Sequence, residues 1–271
     1  MSFATLMVHV DVEPKCDNRV RLAAKLADRF ASTLIGISAC ILPTYPAEGA
    51  YFVTKEFVEQ ERHDMMASLK RTEAVFRTAA GNGLKLEWRS EIELPGNYVV
   101  SEARAADLLI VGRESTADIC RSLDPGAAVM KTGRPLLTVP TGVDVLKADH
   151  ILIGWKDTRE ARRALQDSLP LLHDAKSISI AAVCDKDTEA TSRKHIDDVV
   201  QYLARHRISA SGITTVAQGS VATELIRLAR NEDADLIVTG AYGHSRLGEW
   251  IFGGVTRDLL TSSPICCLLA N

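Results

Sequence analysis

The chain has 271 residues, 46% of them apolar and 25% charged, with a formal net charge of −3. This composition is typical of a globular protein, and the length is comfortable for two domains. The weak negative charge gives no reason to expect nucleic-acid binding, which depends on neutralising phosphates. No run approaches the ~20 apolar residues of a membrane helix.

The termini and cysteines favour a cytoplasmic protein. The N-terminal stretch MSFATLMVHVDVEP lacks a basic segment, so we expect no signal peptide. The six cysteines show neither CxxC pairs nor zinc-finger spacing, which favours reduced, buried thiols. The histidines have no HxH or HxxxH spacing, so no metal site is predicted.

The first half of the chain alternates short apolar runs with helical patterns. Strands are predicted at LMVHVDV, TLIGISA, LEWRSEI, DLLIVG and PLLTVP. Helices are predicted at about residues 19–32, 56–80 and 98–106. Gly126 is a candidate cap for a further short helix before the last strand. The segment 56–77 reads as an amphipathic helix, for which a partner-binding role stays open.

The second half repeats this order. Strands are predicted at HILIGW, SISIAAV, ITTVAQG, ADLIVTG and PICCLLA, and helices from about Thr158, over 194–207 and over 221–231, with a last one beginning near Gly253 and Gly254. DLLIVG, ending at Gly112, recurs 128 residues later as DLIVTG, ending at Gly240. The starts of the halves are 145 residues apart, so the first half carries an insertion, placed near residues 41–62.

Apolar strands separated by helices predict parallel sheets covered on both faces. The predicted fold class is therefore α/β, with two tandem domains, residues 1–143 and 149–271. Each is a doubly wound, mainly parallel five-stranded sheet with helices on both faces.

The glycines of the second half suggest a phosphate-binding site. Gly240 ends a strand, Gly243 follows it, and Gly253 and Gly254 precede the helical run VTRDLL. Peptide N–H groups at a helix N-terminus attract anions, and glycine lets phosphate oxygens approach the backbone. Thr256 adds a hydroxyl in the first turn. An equally simple interpretation is that these glycines only form tight turns.

These residues resemble the universal stress protein signature, in which G-x-x-G-x9-G is followed by Ser or Thr. Gly240-Ala-Tyr-Gly243, nine residues and Gly253 fit the glycine spacing, and GSV before the helix at 221–231 is also similar. The resemblance covers almost the whole chain if it is read as two copies. It implies a stress-response protein that binds an adenine nucleotide (ATP, ADP or AMP), with or without Mg²⁺.

The resemblance also implies site residues, which fall into two groups. The glycine motif would hold the phosphates, and two strand ends would contact ribose and adenine. The implied nucleotide-binding residues are Gly154, Trp155, Lys156, Val183, Gly240, Gly243, His244, Gly253, Gly254, Val255 and Thr256.

Two positions depart from the family pattern. Gly254 stands where Ser or Thr is expected, and Lys156 stands where the family usually has Asp; Asp157 is a possible substitute. In the first half the acid is present as Asp11, but the glycine loop lacks its second glycine. Glu114, Asp118 and Asp124 would repel a polyphosphate, so we expect no triphosphate there.

The sequence identifies no catalytic residue, so at most slow ATP hydrolysis is expected. The alternative is a stress-related interaction module of the same fold that binds no nucleotide. A nucleotidyl transferase is a third class, but no HIGH-like motif is present. The resemblance further implies pairing through the closing strands, Pro135–Pro140 with Pro264–Ala270, within one chain or in a homodimer, and an unidentified protein partner.

Overall fold

The fold was analysed in a computed structural model, which describes residues 2–12, 16–41, 54–113, 120, 122–243 and 254–271. The first half contains five strands: β1 (Thr5–His9), β2 (Thr33–Ala39), β3 (Lys85–Glu91), β4 (Leu108–Gly112) and β5 (Leu136–Val139). Its helices are α1 (Asp17–Phe30), α2 (Lys55–Ala80), α3 (Pro95–Glu102) and α4 (Pro125–Lys131). Residues 42–53 of the predicted insertion lie outside the described residues, and residues 55–62 form the start of α2.

The second half repeats this order. Its strands are β6 (His150–Gly154), β7 (Ser177–Cys184), β8 (Ser211–Val216), β9 (Leu236–Gly240) and β10 (Cys266–Ala270). Its helices are α5 (Arg159–Leu172), α6 (Glu189–Arg205), α7 (Val221–Asn231) and α8 (Gly254–Ser262). No helix among the described residues is long and apolar enough to cross a bilayer.

All ten strands form one sheet, in the order β3-β2-β1-β4-β5-β10-β9-β6-β7-β8. Within each half every pairing is parallel, as predicted. The halves meet at β5 and β10, which pair antiparallel with Leu268 opposite Leu137. The expected pairing of the closing strands is therefore present within one chain.

The core lies on both faces of the sheet, because the strands are apolar on both sides. Helices α1, α2, α5 and α6 cover one face, and α3, α4, α7 and α8 cover the other. Successive side chains of a strand point to opposite faces, as the adjacent cysteines of β10 show. Cys266 packs into the layer that contains α1 and α5, and Cys267 into the layer that contains α7 and α8. Both are free thiols.

One aspartate fixes the start of the first strand in each half. Asp107 Oδ2 accepts hydrogen bonds from the backbone N–H groups of Ala4 and Thr5, at 2.8 and 2.9 Å. Asp235, its counterpart in the repeat, accepts from Asp149 and His150, both at 3.2 Å. Each aspartate thus ties the loop before one strand to the start of another strand.

Candidate functional site

The sheet has two crevices at which strand order reverses. In the first half the crevice lies between the carboxyl ends of β1 and β4, and in the second between those of β6 and β9. Ligands of doubly wound sheets bind at such points. A ligand site is therefore expected at one or both of these crevices.

The end of β6 forms one wall of the second-half crevice. Gly154 lies opposite Thr239 of β9, and a Cβ at Gly154 would lie 3.1 Å from Leu225 Cδ1. Trp155 is buried, and its indole Nε1 has no hydrogen-bond partner among the described residues. Lys156 is exposed. Its ammonium group is therefore available as a point charge.

Helix α5 crosses the crevice at the glycine that ends β9. A Cβ on Gly240 would lie 2.6 Å from Ala161 N and 2.7 Å from the carbonyl carbon of Glu160. Both atoms belong to backbone in the first turn of α5, so any side chain at 240 would displace the helix. Close helix–strand packing thus accounts for Gly240 without a ligand.

The second glycine of the motif lies against an acid. A Cβ on Gly243 would lie 2.9 Å from Glu160 Oε2. Glu160 is only 5% exposed. Burial would raise its pKa, but hydrogen bonds from Arg159, its own backbone and Thr158 hold the pKa below the usual value. The crevice therefore contains a buried carboxylate that is ionised at neutral pH.

The first turn of α8 forms the opposite wall. A Cβ on Gly254 would meet no atom of the described residues within 4 Å. Val255 is half-buried, whereas Thr256 is buried and accepts a hydrogen bond on Oγ1 from the Tyr242 N–H at 3.2 Å. This bond joins the loop after β9 to α8. Residues His244 and Gly253 lie outside the described residues.

The remaining candidates lie at the same edge of the sheet. Val183 is half-buried near the end of β7 and packs against the layer that contains α7 and α8. Asp157, the possible substitute for the expected acid, forms an exposed ion pair with Arg162. The structure thus brings the described candidates to the carboxyl edge of β6, β7 and β9. Among the described residues no cluster of three metal-ligating side chains occurs.

The first-half crevice is filled by an arginine. Arg19, in the first turn of α1, is 8% exposed and forms an ion pair with Asp11, just beyond β1. A Cβ on Gly112, at the end of β4, would lie 1.9 Å from Arg19 Nη1. Gly112 therefore provides the space that the guanidinium occupies.

A buried histidine completes this group. His9 Nδ1 lies 3.5 Å from Asp11 Oδ1, and His9 Nε2 has no hydrogen-bond partner among the described residues. Burial lowers the pKa of His9 to about 4, although Asp11 opposes this shift and Arg19 adds to it. Burial would raise the pKa of Asp11, but Arg19 and His9 hold it below the usual value. At neutral pH the group is an Asp–Arg ion pair beside a neutral imidazole.

A cleft of about 60 Å³ remains beside this ion pair. It is lined by Asp11, Asn18, Arg19, Gly112, Arg113, Val139, Pro140, Thr141 and Gly142. Pockets for small organic ligands are typically ~300–1,000 Å³. This cleft by itself is therefore too small for a nucleotide.

Sequence reasoning missed the role of two first-half residues. Gly126 was expected as a helix cap, but the cap of α4 is Asp124, whose Oδ1 accepts the Gly126 N–H at 2.9 Å. Asp124, expected to repel phosphates, therefore has a structural role. The signal was present in the run Asp-Pro-Gly, because aspartate is a preferred N-cap and proline is common at the next position.

Comparisons with known proteins show what the second half is similar to. The model of the universal stress protein family matches residues 147–270. A universal stress protein from Archaeoglobus fulgidus DSM 4304 is similar over 99% of this chain and 98% of its own, with a TM-score of 0.73 and 11% identity. The resemblance to universal stress proteins and the predicted fold class are thereby confirmed.

Two further solved structures are similar to this chain. A putative universal stress protein from Pseudomonas aeruginosa UCBPP-PA14 covers 99% of this chain and 93% of its own, with a TM-score of 0.58 and 12% identity. A universal stress protein in complex with cAMP covers 52% of this chain and 100% of its own, at 22% identity. Its TM-score is 0.38. No curated protein matches the sequence.

Proposed function

We propose that this chain, whose residues 147–270 match the universal stress protein family, is a tandem universal stress protein that binds one adenine nucleotide in its second half. Its domains would be residues 1–143 and 149–271. Its role would be binding or regulation in a stress response, with at most slow ATP hydrolysis.

The observation that carries this proposal is the hydrogen bond from Tyr242 N–H to Thr256 Oγ1, at 3.2 Å. It holds the loop after β9 against the first turn of α8, beside the crevice. The N–H groups of a first helical turn favour anions, and Gly254 has no side chain to obstruct them. Because Thr256 Oγ1 accepts the Tyr242 N–H, its own O–H would be available to a phosphate oxygen.

The other candidate residues would bind the rest of the nucleotide. Gly154 and Trp155 would lie along the ribose and Val183 against adenine, while exposed Lys156 would approach the phosphates as a point charge. The buried Glu160 carboxylate would repel a bare polyphosphate. We therefore expect Mg²⁺ to tighten the binding of ATP, because the cation would offset this repulsion.

The test is calorimetric titration of ATP, ADP and AMP, with and without Mg²⁺. Gly254→Val would place a branched side chain over the N-terminus of α8. Gly96→Val is the matched control, because Gly96 also lies in the first turn of a helix and a Cβ there meets nothing within 4 Å. We expect one site per wild-type chain, binding lost in Gly254→Val and unchanged in Gly96→Val, with folding checked by circular dichroism.

Absence of binding by nucleotide-free wild type would favour the alternative, an interaction module of the same fold. Glu160 beside Gly243 and the packing of α5 against Gly240 are the observations that favour it. An equal loss of nucleotide affinity in Gly254→Val and Gly96→Val would instead indicate that Gly254 has no specific role in binding.

The remaining parts of the proposal concern assembly and location. Since β5 and β10 pair with each other, a homodimer would have to form through another surface. We expect the protein to act in the cytoplasm together with a protein partner. Size-exclusion chromatography with light scattering would measure the oligomeric state.

A further inference from the structure

We propose that the first half positions the ligand loop of the second half through a contact between Gly126 and Tyr242. The inference rests on the proposed function, because it concerns the same candidate site. It assigns Tyr242 as a positioning residue and the N-terminus of α4 as the surface against which the tyrosine is held.

Tyr242 has an unfavourable backbone conformation. It lies between Gly240 and Gly243 with a φ of +57°, in the left-handed region that a bulky residue rarely adopts. Such a conformation persists only where the surroundings hold it. One restraint is the hydrogen bond from its N–H to Thr256 Oγ1 at 3.2 Å.

The second restraint comes from the first half of the chain. The Tyr242 hydroxyl oxygen lies 2.7 Å from the position that a Cβ on Gly126 would take. Gly126 is the second residue of α4. Because a Cβ at this position would overlap the hydroxyl, only a glycine there leaves room for the phenol. Burial and the nearby Asp124 raise the pKa of Tyr242 to about 12, so the hydroxyl stays neutral.

The first half also contacts the helix that carries the candidate anion site. Leu260 Cδ1 of α8 lies 3.8 Å from the same Cβ position on Gly126. Arg113, which follows β4, donates a hydrogen bond to the carbonyl of Ser263, directly after α8. Tyr242 in the loop after β9 and the C-terminal end of α8 are thus both contacted by the other half, through Gly126 and Arg113.

These contacts would prepare the site for its ligand. A loop held in its binding conformation loses less freedom when a ligand binds. By linkage, a ligand that orders the loop would also stabilise the N-terminus of α4. The first half, whose own crevice is filled by Arg19, would then contribute to the function by supporting the second.

The test compares two alanine substitutions in equivalent helix positions. Gly126→Ala places a Cβ against the Tyr242 hydroxyl, whereas Gly96→Ala places one in open space. Both glycines follow a proline at the start of a helix, in α4 and α3, so the effect on helix propensity is matched. Tyr242→Phe in the Gly126→Ala background removes the clashing oxygen.

Hydrogen exchange of the Tyr242 amide, followed by NMR without ligand, measures the positioning directly. We expect Gly126→Ala to accelerate this exchange by at least about fivefold, the equivalent of one neutral hydrogen bond. Gly96→Ala should leave it unchanged, and Tyr242→Phe should restore it. If Gly126→Ala does not fold, Tyr242→Ala, which removes the ring but keeps a Cβ in the unfavourable left-handed conformation, should accelerate the exchange of the amide at 242 in the same way.

Nucleotide titration into the same variants gives the functional readout. Affinity for ATP should fall about fivefold in Gly126→Ala and recover in the double variant, although thermal stability changes little. Equal exchange rates in Gly126→Ala, Gly96→Ala and wild type would overturn the inference. A wild type that binds no nucleotide would refute the proposed function alone, because the exchange experiment needs no ligand.

Discussion

Buried His9 makes the stability of the fold depend on pH. The unfolded chain takes up a proton on this histidine below a pH of about 6.5, whereas in the folded protein the pKa is about 4. The folded state is therefore destabilised as the pH falls from about 6.5 to about 4. One pKa unit corresponds to about 1.4 kcal/mol, so the full effect is up to about 3 kcal/mol.

Comparing stability at about pH 7.5 and about pH 5 measures the contribution of His9. Over that range, protonation of His9 in the unfolded chain should lower the free energy of unfolding by about 2 kcal/mol. The lowered pKa of Asp11 acts in the same direction but only at lower pH, because its contribution is present above its ordinary value of 3.8. The perturbation is His9→Leu, which removes the titrating group. Its polar losses are small, since Nε2 has no described partner and Nδ1 lies 3.5 Å from Asp11.

Urea unfolding at a series of pH values is the assay. We expect wild type to lose about 2 kcal/mol more than His9→Leu between about pH 7.5 and about pH 5, at an unchanged denaturant slope. At about pH 7.5 the two proteins should agree to within about 1.5 kcal/mol, because the substitution nearly conserves volume. Parallel loss of stability in both proteins would refute the assignment of a buried, neutral imidazole.

Two further predictions concern packing and the repeat. Gly240→Ala should lower the free energy of unfolding by about 1–3 kcal/mol, because the new Cβ would collide with the backbone at Ala161 N. Gly254→Ala places its Cβ in open space and should cost less than about 1 kcal/mol. Equal melting temperatures of the two variants would contradict this difference. Asp107→Ala and Asp235→Ala should each cost about 1–3 kcal/mol in thermal unfolding, since each leaves two backbone N–H groups without their acceptor. The two losses should add in the double variant, and a markedly smaller joint loss would show that the two halves of the sheet are coupled.

The sequence alone determined the α/β class and the order of helices and strands along the chain, because both follow from local patterns. Apolar runs such as DLLIVG and DLIVTG form β4 and β9, and the helix at 221–231 was predicted with its observed bounds. The internal repeat predicted two similar halves, and the family resemblance implied the pairing of their closing strands. Periodicity and repetition are visible in the sequence itself, so they can be recognised before the fold is known.

Only the tertiary structure decided what the crevices contain. Arg19 fills the first-half crevice, and Glu160 lies beside Gly243 in the second, although neither side chain belongs to a glycine motif. The Gly126–Tyr242 contact joins residues 116 positions apart across the β5–β10 pairing. Such contacts depend on which helix end faces which strand end, and this is set by packing between elements that are distant in sequence.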